Sequence, residues 1–108
     1  MIVITTDTIP GKNIDKTLGI VKGNTIRARP LGKDIMAFIK NMVGGEIQEY
    51  TKMMAEAREQ ALDRLIEDAE ALGANAVISV RFTTTSMMQG AAELLVYGTA
   101  IVCSEINQ

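Results

Sequence analysis

A glycine pair, Gly44-Gly45, precedes Glu46 and an unbroken amphipathic run to Leu72, and Gly73-Ala74-Asn75-Ala76-Val77 then leads directly into β-branched sequence. At 100° per residue, Ile47, Tyr50, Met54, Ala57, Ala61, Leu65, Ala69 and Leu72 share one stripe of a helix, and Glu49, Lys52, Glu56, Glu59, Asp63, Glu67 and Glu70 share the opposite face. Glu46 suits the positive end of the helix dipole, and Gly73 suits the left-handed position that closes a helix. A helix over residues 46–72 is about 40 Å long. That is long for a 108-residue chain, so its far end is expected to pack on another subunit. The three alanines of the stripe permit close backbone approach.

The flanking sequence reads as strands. Residues 2–5 form a short β-branched strand, and residues 7–16, with Pro10-Gly11 and Asn13, a loop or turn. Residues 18–22 and 25–29 are two β-runs, and the Gly23-Asn24 between them has the length of a tight hairpin turn. Pro30 has no amide for a ladder and ends the second run. Asp34 is placed to cap a short helix carrying Ile35, Phe38, Ile39 and Met42 on one face, which Gly44-Gly45 stops. Beyond the long helix, residues 76–83 alternate Ile78, Val80 and Phe82 against Ser79 and Arg81. Residues 84–90 read as a polar, methionine-containing connection, and residues 92–103 as a final strand in which Gly98 marks a bulge or close contact. The order β-β-β-α-α-β-β predicts a single α+β domain over residues 1–108, a small mixed or antiparallel sheet packed on one long and one short helix.

Hydrophobic residues make up 47% of the chain, with no Trp, two Phe and two Tyr, so the apolar content is aliphatic and small. One subunit of this size cannot hide all of it, and part is expected in an oligomer interface. The net charge of −2 without a basic cluster argues against a nucleic-acid partner. A single cysteine excludes an internal disulfide and suits a reducing cytoplasm. The N-terminus has no basic leader region, and no apolar run approaches the ~20 residues that span a bilayer. A soluble, cytoplasmic protein with no membrane partner is expected.

Chemistry is thinly represented. Zinc sites draw on Cys and His at short spacings, yet the chain has no histidine and only Cys103. Met53-Met54 and Met87-Met88 could offer thioethers to copper(I), but Met54 reads as core filling and the others as interface or surface. A metal held by one ligand from each subunit around a symmetry axis is less easily excluded than a site within one subunit. Arg58 falls in the apolar stripe by angle, near Leu65 and Met54, where a charge must snorkel or find a partner. Pairing with a carboxylate of a neighbouring subunit is favoured over an anion-binding role in a cleft between subunits. The glycines near Gly44 lack a GxGxxG or Walker-type pattern, and Glu46 puts negative charge where a phosphate would sit. No nucleophile–base pair is evident, since a serine triad needs a histidine or a lysine substitute placed by the fold, and Glu56/Glu59 and Asp63/Glu67 lie on the solvated helix face. No enzyme activity and no catalytic, cofactor or metal residue is assigned. Glu46, Tyr50 and Arg58 are the candidates for an interface or ligand cleft.

Gly19-Ile20-Val21-Lys22-Gly23, Val43-Gly44-Gly45-Glu46, Tyr50-Thr51, Ala57-Arg58, Gly73-Ala74-Asn75-Ala76-Val77 and Tyr97-Gly98-Thr99-Ala100 together resemble the YbjQ-type family, which carries a heavy-metal-binding label. The resemblance covers nearly the whole chain. It implies a dodecin-like α+β subunit in a homopentamer of propeller-like β/α arrangement, and no established enzyme activity. The expected protein is a non-enzymatic homo-oligomeric module that binds a small ligand or ion or acts as a scaffold. Its N-terminal and final strands are expected at subunit contacts by edge pairing. The alternative is a heavy-metal-binding protein whose ligands are shared between subunits.

Overall fold

Among the described residues, four strands and one helix build a small α+β fold around a mixed sheet. The computed structural model describes residues 1–28, 44–86 and 91–106, with the side chains of residue 28 and residues 44–51 left aside. The elements are β1 (Ile2–Val3), β2 (Lys12–Ala28), α1 (Gly44–Ala71), β3 (Ala76–Ser86) and β4 (Ala91–Glu105). The sheet order is β1-β3-β4-β2. β1 runs parallel to β3, while β4 lies antiparallel to both β3 and β2. The expected short helix at residues 34–42, the break at Pro30 and the Met87-Met88 pair lie outside the described residues.

The alternation of apolar residues sorts the sheet into two faces. On the helix side, Val21, Val77, Val80, Leu94, Val96 and Ala100 meet Ala57, Ala61, Leu65 and Ala69, all buried, with Val3, Leu18, Leu62 and Ala74 at the margin. On the back, a smaller cluster of Ala76, Ile78, Ile101 and Cys103 lies against Ile2, Ile4 and Ile9. The loop after β1 therefore covers one end of the back face only.

The hairpin expected at Gly23-Asn24 is absent. β2 is one 17-residue strand passing straight through both residues, in register with β4 from Lys12↔Glu105 to Ala28↔Ala91. Gly23 faces α1 so closely that a Cβ there would fall inside the contact radii of the Ala61 carbonyl oxygen and the Leu65 amide nitrogen, and 3.0 Å from the Arg64 carbonyl carbon. The glycine that resembles a turn is a notch in which a helix backbone rests. The loop expected over residues 7–16 also yields, since β2 starts at Lys12 by pairing with the end of β4. β3 likewise continues through residues 84–86, read from sequence as connection.

α1 begins at Gly44, so the glycine pair forms its first turn instead of preceding it. It ends at Ala71, and Gly73 follows with φ +86°, the left-handed closure expected of a C-terminal glycine. The Gly73 amide donates to the Glu70 carbonyl at 3.0 Å and the Ala74 amide to the Ala69 carbonyl at 3.1 Å. Leu72 lies past the helix end and is 48% exposed, outside the buried stripe assigned to it.

Gly98 answers its expectation. Two residues of β3, Ser79 and Val80, stand opposite this one position, so β3 carries a bulge there, with Ser79 at φ +56°. A Cβ on Gly98 would meet Val77 Cγ1 at 2.8 Å and the Ile78 carbonyl oxygen at 2.9 Å. Gly98→Ala is expected to destabilise the subunit by about 1–3 kcal/mol, the usual cost of overpacking a core. Urea denaturation at fixed protein concentration checks this, with an unchanged midpoint contradicting it.

Candidate functional site

The free side of β2 is closed by a row of polar side chains four residues apart on α1, positions that share one helix face. Arg27 Nη2 donates to Gln60 Oε1 at 2.7 Å, the Arg64 guanidinium donates to the Asn24 carbonyl, and the Lys22 amide donates to Asp68 Oδ2 at 3.0 Å. Between these contacts, buried Thr25 donates through Oγ1 to the Ala57 carbonyl at 3.3 Å. Arg64 and Asp68 thereby satisfy one carbonyl and one amide of a strand at the sheet's rim, where unpaired backbone groups invite other strands. This polar row was not read from the sequence, where Arg64 and Asp68 look like ordinary solvated charges.

Where β2 runs out from under the helix, Arg27, Lys52, Ala55, Glu56, Glu59, Gln60 and Asp63 border an open cleft of about 500 Å³. The buried Arg27 Nε has no hydrogen-bond partner among the described residues. Two cationic and three anionic side chains border the cleft without converging on one charge type, and nothing in it resembles an acid–base pair.

The back face has a different character. In register across β2, β4 and β3 lie the rows Ile20–Thr99–Ile78, Lys22–Tyr97–Arg81, Asn24–Leu95–Thr83 and Ile26–Glu93–Thr85. Ile20 is 81% exposed, Ile26 53% and Tyr97 41%. Tyr97 stands between Lys22 and Arg81, and Arg81 Nη1 donates to the Thr5 and Val80 carbonyls, each at 2.8 Å. At the other end of the sheet Lys12 pairs with Glu105. Their hydrogen bond raises the lysine pKa above its ordinary value. Exposed as it is, this pair contributes little to stability.

The three residues singled out from sequence lie on one helix. Glu46 and Arg58 are twelve positions apart, about 18 Å along the axis. Arg58 is exposed. By angle it falls within about 20° of Leu65 and Ala69, but the buried stripe winds round the helix by about 40° every four residues, and at the level of Arg58 the buried position is Ala57, one 100° step away, which corrects its placement among the core positions. The side chains of Glu46 and Tyr50 lie outside the described set.

Heavy-metal chemistry finds little to use among the described residues. Among the described residues no group of three or more His, Cys, Asp or Glu side chains could hold an ion. Cys103 is only 7% exposed in the back cluster, and its backbone is clasped by Asn75, whose side chain bonds the Cys103 amide and carbonyl at 2.8 Å each. A thiol so enclosed by isoleucines is poorly placed to ligate. Among the described residues no helix is long and apolar enough to cross a membrane.

Comparison with known proteins gives a consistent result. The family profile of YbjQ, described as "Putative heavy-metal-binding", matches residues 1–104. A UPF0145 protein of Methanosarcina acetivorans is 59% identical over 101 residues, covering 94% of this chain and 95% of its own length. A UPF0145 protein of Clostridioides difficile is 55% identical over 107 residues, covering 99% and 96%. Among solved structures, a protein of unknown function of the DUF74 family from Pediococcus pentosaceus superposes with a TM-score of 0.65 at 17% identity, covering 96% of this chain and 98% of that one, a likeness of fold.

Proposed function

This chain belongs to the YbjQ family, and from that premise we propose that it acts as a non-enzymatic, cytoplasmic homo-oligomeric module of five dodecin-like subunits. The reading rests chiefly on the back sheet face, where Ile20, Ile26 and Tyr97 stand open to solvent on adjacent strands. Set among Lys22, Asn24 and Arg81, they make a mixed face of exposed aliphatic, aromatic and cationic groups, a composition that suits a partner surface. The molecule's proportions support it. Its radius of gyration is 18.0 Å, whereas a compact domain of 100 residues has about 13 Å. Glu46, Tyr50 and Arg58, strung along one helix, suit contact with a neighbouring subunit better than convergence on a small molecule. A small ligand or ion, if bound, would lie between subunits.

Size-exclusion chromatography with light scattering at micromolar concentration is expected to give about five times the 11.7 kDa chain mass. Ile20→Glu, which plants a charge at the most exposed apolar position of that face, is expected to lower that mass while the chain stays folded. A monomeric mass for the unaltered protein would remove the reading.

A further inference from the structure

We draw no further inference here: the strongest candidate, the exposed Lys22–Tyr97–Arg81 row across the back face of the sheet, belongs to the surface already described, and nothing in the structure shows what covers it.

Discussion

Gly23→Ala is expected to cost upwards of about 3 kcal/mol, near or above the top of the usual range for overpacking. The atoms a methyl group would strike are the Ala61 carbonyl oxygen and the Leu65 amide nitrogen, both backbone, so no rotamer change can relieve the clash. α1 would have to lift from β2 by roughly an ångström or more to regain ordinary contact distances. Lifting it would also strain the Thr25–Ala57 bond and part the buried alanines from Val21 and Val96. Small domains have only about 5–15 kcal/mol of stability in total. At about 4–8 °C per kcal/mol, the melting temperature should fall by more than about 12 °C, measured at one protein concentration because any self-association would shift the midpoint. A change within 3 °C or so would mean the helix does not rest on that notch.

Leu65→Ala is the second large effect, expected in the upper half of the roughly 2–5 kcal/mol range for such truncations. Leu65 is the largest fully buried side chain of its cluster, whose other buried helical residues are Ala57, Ala61 and Ala69. Alanines have no side-chain length with which to fill the void, and the strands beneath are pinned on both sides, so the cavity should stay open. Leu65→Met keeps the volume and should cost less than about 1.5 kcal/mol. Denaturant midpoints for the pair test this, and equal losses would show that the leucine's shape is not what holds the helix down.

The parts that were legible were those with a strong period. α1 is visible as an amphipathic run closed by glycine, and its buried alanines and Leu65 are the residues the helical period selects. β3 and β4 follow from alternation, and Gly98 from its break in that pattern. β2 was misread because Gly23-Asn24 carries a strong local turn signal, while the reason for the glycine is a helix about forty residues away in sequence. The start of β2 was missed for the same cause: Lys12 and Asn13 have little strand preference and are held by β4. Arg58 shows the coarseness of angular reading, since one helical step separates a fully buried alanine from an exposed arginine. Nothing in the linear pattern marked Gln60, Arg64 and Asp68 as a seal, or the Lys22–Tyr97–Arg81 row, because both arise only once distant strands are laid side by side.

A strand as long as β2 could in principle slide along its neighbour, since β-branched side chains fit many offsets. The helix removes that freedom. Only one position along the ribbon lacks a side chain where α1 must sit, so a shift of one or two places would drive Val21, Lys22, Asn24 or Thr25 into the helix backbone. The single indentation works as a key, and the docking of α1 checks that the ladder beneath it has been zipped in the correct frame.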